Sequence, residues 1–406
     1  MKRLLILALL FIAMISCEEK SETKLKLGEW LANMKVSEDE MLPFNFTLTR
    51  NGDNYTIEVR NADELILIDE FEFYNDSIKI QMPIFEGYIA GTYTEDGING
   101  NFIKESLDRV VPFNAAFGEK PRFETVEKPK VNISGVWEVN FDYDGEKPYP
   151  AKGIFTQEED RIVGTFRTNT GDYRYLEGVV DGSTLKLSTF DGAHVFLFKA
   201  EATDTTLNGV FYSGNHSIEN FKAKRNEGFE LADSNSLTYI KEGYDKLAFS
   251  FPDANGKLIS LTDDEFADKV VLVQIMGTWC PNCLDETKFY VDYLKNNPNP
   301  DLKVIALAFE YATTKEKAFN GINRLKERIG VEYPILLSQY GSSDKGLANE
   351  KLPMLNHILS YPTTIYIDKK GGIRKIHTGF NGPATLEKHE EFKKEFNQTI
   401  ATLLSE

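Results

Sequence analysis

The stretch VVLVQIMGTWCPNC, residues 270–283, decides the fold of the C-terminal half of this chain. Residues 270–275 form an apolar run typical of a buried strand. The residues from Pro281 onward favour a helix, and proline suits a first helical turn because its missing N–H would have no partner there. The stretch therefore predicts a strand that leads into a Cys-x-x-Cys pair at the N-terminus of a helix.

The chemistry of this stretch resides in Cys280 and Cys283. A thiol at a helix N-terminus is favoured as the thiolate by the unpaired N–H groups and the helix dipole. The second thiol follows one turn later, within reach of a disulfide. A zinc site would need two more ligands, but the chain has no second cysteine pair and its five histidines are scattered. A purely structural disulfide would stabilise little because its loop is so short. The pattern favours a redox pair over both alternatives.

Around this motif, strand and helix patterns alternate. Strand-like apolar runs and helical stretches between them predict an α/β layer structure with a parallel core. We place this domain at residues 234–406. The further predicted strands are 302–309 and 364–367, and the predicted helices are 281–296, 314–329 and 389–404.

The C-terminal domain resembles the TlpA/ResA-like branch of the thioredoxin superfamily, whose members are exported disulfide reductases. Residues 270–283 carry the resemblance, together with an entry hairpin at 249–261 and the loop Ser-Tyr-Pro-Thr-Thr at 360–364. Residues 314–337 fit the extra helix and strand of that branch. The resemblance covers about 245–406 and implies an α/β thioredoxin fold and disulfide exchange.

The resemblance also implies roles for individual residues. Cys280 would be the nucleophile and Cys283 the resolving cysteine, with a Cys280–Cys283 disulfide in the oxidised state. Pro362 would follow a cis peptide bond and expose the preceding backbone to a bound peptide. Trp279 is expected to shield one side of the site and Tyr361 the other.

Two positions place the chain with this branch and apart from thioredoxin itself. Thioredoxin has a buried aspartate six residues before its first cysteine, where this chain has Gln274. The TlpA/ResA-like branch has a glutamate three residues after the second cysteine, which is Glu286 here. Residues three apart share a helix face, so Glu286 is expected to tune the pKa of Cys283 and to carry its proton. The alternative is a solvated glutamate on the helix surface.

The expected partners follow from this chemistry. The substrates would be disulfide-containing proteins, the electrons would come from a membrane or periplasmic donor, and no cofactor or metal is required. The motif leaves open whether the pair reduces or oxidises its substrates, and reduction is the expectation. A peroxiredoxin-type peroxidase fits less well because its cysteine usually follows a different approach sequence.

The N-terminus carries a targeting signal. Lys2 and Arg3 precede about a dozen mostly apolar residues, too few to span a bilayer comfortably. The string Met-Ile-Ser-Cys at 14–17 resembles a bacterial lipobox, which implies a signal peptide at 1–16, lipidation of Cys17 and a tether at 17–24. An ordinary signal peptide with an incidental cysteine is the alternative. We expect a lipid-anchored protein of the bacterial cell envelope, with its redox domain in the periplasm.

Between the tether and the redox domain the chain is all-β and duplicated. Gly28-Glu29-Trp30 returns as Gly135-Val136-Trp137, 107 residues later, and the stretch 43–49 returns at 150–156 with the same offset. Short alternating strands and turns such as Asn51-Gly52 indicate hairpins. We place the two β repeats at 25–118 and 133–226.

Each repeat holds about seven or eight strands, enough for a small meander that closes into a barrel. The Gly-x-Trp openings resemble the calycin pattern, and Trp30 and Trp137 are expected to be core aromatics. The alternative function is a lipoprotein in which these repeats bind a ligand or partner and redox activity is subsidiary.

The charge of the chain narrows its partners further. The net charge of −17 would repel phosphates, so a nucleic-acid role is not expected. The sequence therefore predicts a multidomain α+β protein, in which a duplicated all-β region precedes an α/β thioredoxin fold.

Overall fold

A computed structural model describes residues 24–406 of the chain. The signal peptide, Cys17 and the tether up to residue 23 lie outside the described residues. Within the described range, no helix is long and apolar enough to cross a bilayer.

The first repeat forms one antiparallel sheet. Its strands follow each other in the order β4-β3-β2-β1-β9-β8-β7-β6-β5, so the first and last strands along the chain are hydrogen-bonded neighbours. The strands are β1 (Gly28–Lys35), β2 (Met41–Asn51), β3 (Asn54–Asn61), β4 (Glu64–Ile68), β5 (Glu70–Tyr74), β6 (Ser77–Gln81), β7 (Tyr88–Tyr93), β8 (Gly97–Lys104) and β9 (Arg109–Phe117).

The first repeat is barrel-like, as predicted, but a hydrogen-bonded ladder does not close it. Strands β4 and β5 lie at the two ends of the sheet and do not pair. β4 folds back in a tight hairpin and takes the outer edge of β3 over residues 57–61, so these residues are not free to pair with β5. Side chains bridge the gap instead, because the ring of Tyr55 packs against Phe71 and Phe73.

The second repeat does close. Its order is β11-β10-β18-β17-β16-β15-β14-β12-β13, and a further ladder between β11 and β12 completes an eight-stranded barrel. The strands are β10 (Gly135–Phe141), β11 (Tyr149–Glu158), β12 (Arg161–Thr168), β13 (Gly171–Asp172), β14 (Leu176–Asp181), β15 (Thr184–Phe190), β16 (Val195–Ala202), β17 (Thr206–Ser213) and β18 (Ser217–Arg225).

The two repeats share detailed geometry. The ladders β1–β2 and β10–β11 pair in the same register at an offset of 107 residues. Trp30 and Trp137 are both fully buried, and each donates its Nε1–H to the carbonyl four residues earlier, that of Lys26 or Ile133. This common contact supports the duplication and the assignment of both tryptophans to the core.

The third region has a thioredoxin-like mixed sheet. A small hairpin of β19 (Ser250–Pro252) and β20 (Leu258–Ser260) precedes a sheet in the order β23-β22-β21-β24-β25. Its strands are β21 (Val270–Met276), β22 (Leu302–Phe309), β23 (Ile335–Gln339), β24 (Thr363–Ile367) and β25 (Ile373–Thr378), and its helices are α1 (Pro281–Asn296), α2 (Lys315–Ile329), α3 (Lys345–Lys351) and α4 (Glu387–Ser405).

This region agrees with its predicted elements in most places. The three predicted helices are α1, α2 and α4, and α2 with β23 supplies the predicted insert. The predicted parallel core is correct for β21, β22 and β23, whereas β24 runs antiparallel to β21 and β25 runs antiparallel to β24. The helix α3 was not predicted, because seven residues are too few to show a periodic pattern.

The β regions dock directly on the redox region. Arg328 of α2 makes a two-fold contact with the carboxylate of Asp69, with N–O distances of 3.0 and 2.9 Å, at the corner between β4 and β5. The two β regions also pack on each other, since Phe190 of β15 stacks on Phe44 of β2 with ring centroids 4.7 Å apart. The first β sheet therefore contacts both the redox region and the second barrel.

Candidate active site

The redox pair lies at the carboxyl end of β21, the central strand of the redox sheet. The buried strand ends at Met276, and a short turn leads to Cys280, which is the N-cap of α1. Pro281 occupies the first helical turn, as predicted from the sequence. Cys280 and Cys283 are joined by a disulfide with a Cα–Cα distance of 5.2 Å.

The surroundings of Cys280 favour a negative charge on its sulfur once the bond is reduced. The backbone N–H of Cys283 donates to Sγ of Cys280 at 3.1 Å. The first turn of α1 carries no acidic residue. The helix dipole and the N–H of Cys283 therefore act on this sulfur without an opposing carboxylate in that turn.

The loop before β24 lies at the same end of the sheet as the cysteines. The Tyr361–Pro362 peptide bond is cis. The carbonyl oxygen of Tyr361 lies 3.3 Å from Sγ of Cys280. Because β24 runs antiparallel to β21, its N-terminal end meets the carboxyl end of β21, and the proline loop faces the cysteines.

The expectation that Trp279 and Tyr361 shield opposite sides of the site is not met. Their rings touch edge to face, with centroids 5.6 Å apart, and form a single aromatic wall. A hydrogen bond holds the indole of Trp279 in place, because its Nε1–H donates to the carbonyl of Phe309 at 3.0 Å. That hydrogen bond turns the indole towards β22 and the proline loop.

Glu286 is fully buried rather than solvated on the helix surface. Its Oε2 accepts a hydrogen bond from Nε2 of Gln274 at 2.9 Å. Its Oε1 lies 3.0 Å from the hydroxyl groups of both Tyr290 and Thr364. The same amide nitrogen of Gln274 lies 3.5 Å from the carbonyl of Cys283. The two residues that distinguish the motif in sequence are thus hydrogen-bonded to each other behind the resolving cysteine.

Burial dominates the electrostatics of Glu286. Loss of hydration raises its pKa to about 7, although hydrogen bonds from Gln274, Tyr290 and Thr364 lower it. Among the ion pairs of residues 24–406, none involves this carboxylate. A carboxyl group with a pKa near neutrality can take up or release a proton under physiological conditions.

Glu310 is a second buried carboxylate at the site, and sequence reasoning missed it. It follows β22 directly and is 3% exposed. Its two oxygens accept from the backbone N–H and the hydroxyl of Thr278, at 2.8 and 2.7 Å. Burial raises its pKa to about 7. An acidic residue at the end of a buried strand, beside the motif strand, was the signal that could have found it.

A cavity of about 470 Å³ opens between the first β sheet and this side of the site. The redox region contributes Thr278, Trp279 and Glu310 to its lining, and the first sheet contributes Glu86 and Tyr88. Within residues 24–406, no group of three His, Cys, Asp or Glu side chains is placed to hold a metal ion.

Comparison with known proteins gives matches to the redox region. The Redoxin family matches residues 241–392. The thioredoxin-like protein YneN of Bacillus subtilis is 30% identical over 140 residues, which cover 34% of this chain and 73% of that protein. The thiol-disulfide oxidoreductase ResA of Halalkalibacterium halodurans is 30% identical over 164 residues, covering 38% of this chain and 78% of that protein.

Similar solved structures match the same part. A thiol-disulfide oxidoreductase from Bacteroides fragilis is 17% identical and covers 37% of this chain and 99% of its own, with a TM-score of 0.27. A thiol-disulfide isomerase from Corynebacterium glutamicum is 16% identical and covers 41% of this chain and 99% of its own, with a TM-score of 0.32.

Proposed function

The chain belongs to the TlpA/ResA-like thiol–disulfide oxidoreductases of the thioredoxin superfamily, and from this premise we propose that it reduces disulfides in other proteins through Cys280 and Cys283. The observation that carries this proposal is the Cys280–Cys283 disulfide on the N-terminus of α1, next to a cis-proline loop. A helix N-terminus stabilises the thiolate that attacks, and a neighbouring cysteine can release the product.

The reaction has two exchange steps. The Cys280 thiolate attacks one sulfur of the substrate disulfide, so that a mixed disulfide forms and the other substrate sulfur leaves as a thiolate. Cys283, once deprotonated, attacks Sγ of Cys280 and releases the second substrate thiolate. The substrate gains two electrons, and the Cys280–Cys283 bond re-forms with the protein oxidised.

Glu286 is assigned to the second step. Cys283 is completely buried, so its thiol needs an internal acceptor for its proton. Glu286 is the buried carboxylate linked through Gln274 to the backbone of Cys283, and its pKa of about 7 suits a group that accepts this proton and later returns it.

The loop at Pro362 and the aromatic wall are assigned to substrate binding. A cis proline leaves the preceding backbone facing outward, where it can pair with an extended segment. Trp279 and Tyr361 would then limit how the substrate disulfide approaches Sγ of Cys280.

The cellular setting belongs to the same proposal. We place the protein in the bacterial cell envelope, anchored by a lipid on Cys17, with the redox domain in the periplasm. A membrane or periplasmic donor would return electrons to the Cys280–Cys283 disulfide. The two β repeats would then hold the redox domain away from the lipid surface.

A trapping experiment tests the proposal. Cys283→Ser removes the resolving thiol, so we expect protein partners to accumulate as mixed disulfides on Cys280. Cys280→Ser is the matched control and should trap few or none. If neither variant forms mixed disulfides in cells, and the reduced protein leaves insulin disulfides intact, the reductase proposal fails.

A further inference from the structure

One segment of the second barrel lies against the end of the redox sheet that carries Cys280. This segment, the tip, comprises residues 168–172, which are the last residue of β12, the turn after it and β13. It contacts the start of α1, the cis-proline loop and the turn after β25, and the first two of these contain or adjoin Cys280. The tip is thus seated where an external protein would have to approach.

The tip contacts the redox region through two of its main-chain carbonyls. The hydroxyl of Ser360 donates to the carbonyl of Thr170 at 2.7 Å. The side-chain amide of Asn282 donates to the carbonyl of Asp172 at 3.0 Å. Ser360 lies two residues before the cis proline and Asn282 lies between the two cysteines, so the donors come from the two segments that carry the redox pair and the proline loop.

Side-chain contacts fix the tip further. The carboxylate of Asp172 is buried and accepts from the backbone N–H of Gly382 at 2.6 Å. Gly171 has a φ of +137°, and a methyl group built on it would overlap Nδ2 of Asn282 and lie 3.2 Å from the carbonyl of Phe380. The absence of a side chain at position 171 therefore allows the tip to approach this closely.

The result is a closed site. Cys280 is 6% exposed and Tyr361 is 7% exposed. Attack on a disulfide requires the substrate sulfur to reach Sγ of Cys280 directly, together with the protein chain that bears it. The low exposure of Cys280, together with the contacts of the tip on Asn282 and Ser360, leaves a folded protein little room for this approach.

We propose that the tip is an internal occupant of the substrate site, which a protein substrate must displace, and that Ser360 and Asn282 hold the main-chain carbonyls of whichever segment is bound. The accepting carbonyls belong to residues 170 and 172 of the tip and both donors belong to the redox region, so the main-chain carbonyls of a bound peptide would take the same two donors. This inference rests on the proposed role of Cys280 as nucleophile.

The test compares reagents of different size. In a Cys17→Ser, Cys283→Ser background, Cys280 is labelled either with N-ethylmaleimide or with a maleimide on a polyethylene-glycol chain. We expect the bulky reagent to be slowed by about tenfold relative to the small one in the folded protein, but not in the urea-unfolded chain. If the ratio of bulky to small labelling rates is the same in the folded and the unfolded protein, the proposal is overturned. This outcome needs no substitution in the tip.

Two variants open the site from the barrel side. Gly171→Val introduces the overlap with Asn282, and Asp172→Ala removes the contact with Gly382. Either should raise bulky labelling and, with Cys283 restored, insulin reduction by about tenfold, the effect of one or two hydrogen bonds on an opening equilibrium. The matched control is Gly52→Val, which also has positive φ but has no atom within 4 Å of its Cβ position.

The donor role has its own readout. In the Gly171→Val protein, Ser360→Ala should raise the KM for insulin by about threefold while reduction of a small aromatic disulfide keeps its rate. An unchanged KM would overturn the donor role. If Gly171→Val and Asp172→Ala both label with the bulky reagent and reduce insulin at wild-type rates, the tip does not occupy the substrate site. Failure of every variant to reduce even the small disulfide would count against the proposed reductase function instead.

Discussion

Nε2 of Gln274 donates a hydrogen bond to Oε2 of Glu286 across 2.9 Å, and both side chains are completely buried. The two residues lie on different elements, β21 and α1, so the contact couples the motif strand to the helix that carries the cysteines. The amide supplies a neutral donor to the carboxylate, and the acid thus stays close to its protonation midpoint near neutral pH. An ionised partner in place of Gln274 would shift this balance.

Replacing Glu286 by glutamine should slow the resolving step. The amide cannot accept the proton of Cys283, so we expect the release of the mixed disulfide to fall by about 100-fold. The pH–rate profile of that step should lose its inflection at about pH 7, which the raised pKa of Glu286 predicts. Stopped-flow measurement of product release, with Asp292→Asn on the exposed side of the same helix as control, checks this. An unchanged profile would remove Glu286 from the mechanism.

The same substitution should change how stability depends on pH. The folded pKa of Glu286 is raised from 4.5 to about 7, so its contribution to stability is present at low pH and is lost as the pH rises through 7. Glu286→Gln abolishes this loss. Relative to wild type, the variant should therefore gain on the order of 3 kcal/mol between about pH 5 and pH 9, measured by urea unfolding. A difference that stays constant with pH would contradict the raised pKa.

Thr278→Val tests the second buried carboxylate. The variant loses the 2.7 Å hydrogen bond from the Thr278 hydroxyl to Glu310. Loss of a hydrogen bond costs more stability when the acceptor, Glu310, is ionised than when it is neutral. We therefore expect a destabilisation of about 1 kcal/mol at pH 5.5 and about 2–3 kcal/mol at pH 8.5. Urea unfolding at both pH values measures it. Thr313→Val, at an exposed position outside any helix or strand, is the control and should change little.

The sequence predicted the strand, the cysteine pair and the start of the helix because the signals for these elements are local. An apolar strand, a Cys-x-x-Cys pair and a proline in the first turn lie within residues 270–283, and each follows from backbone or side-chain preferences over a few residues. The spacing of Cys283 and Glu286 placed them on one helix face. It did not show that this face is buried, because burial depends on β24 and on α4 packing behind it.

The features that sequence reasoning missed depend on distant pairings. Glu310 meets Thr278 only because β22 lies beside β21 in the sheet. The tip reaches Ser360 across 190 residues of chain, and no local pattern marks that contact. The gap between β4 and β5 in the first repeat, here called the open seam, likewise arises because β4 pairs with the outer edge of β3. Strand propensity does not determine which strand takes that edge.

The open seam predicts a difference in hydrogen exchange between the repeats. Strands β4 and β5 have unpaired outer edges, whereas the matching strand β14 pairs on both sides. Amides in residues 64–74 should therefore exchange about tenfold faster, on average, than those in residues 176–181. Mass spectrometry of the intact protein at neutral pH measures both segments in one sample. Equal protection would indicate that the first sheet closes in solution.

Arg174 joins all three regions. It follows the tip and forms ion pairs with Glu64 of the first sheet and with Asp285 of α1, while Nη1 also donates to the carbonyl of Pro281 at 3.1 Å. Arg174→Met keeps most of the side-chain volume but leaves these carboxylates without their cation. Since removal of one partner from a buried ion pair is strongly unfavourable, we expect a loss of about 3 kcal/mol, measured as a lower urea midpoint.

The pH dependence and a second variant separate charge from packing. Burial already raises the pKa of Glu64, and without Arg174 it should rise further, so the variant should lose stability as the pH increases from about 5 to 8. Adding Glu64→Gln removes that buried charge and should recover part of the loss. Arg161→Met is the matched control, because its pair with Glu177 is half exposed on the arginine side and should contribute less than about 1 kcal/mol. If Arg174→Met and Arg161→Met cost the same, Arg174 does not hold the three regions together.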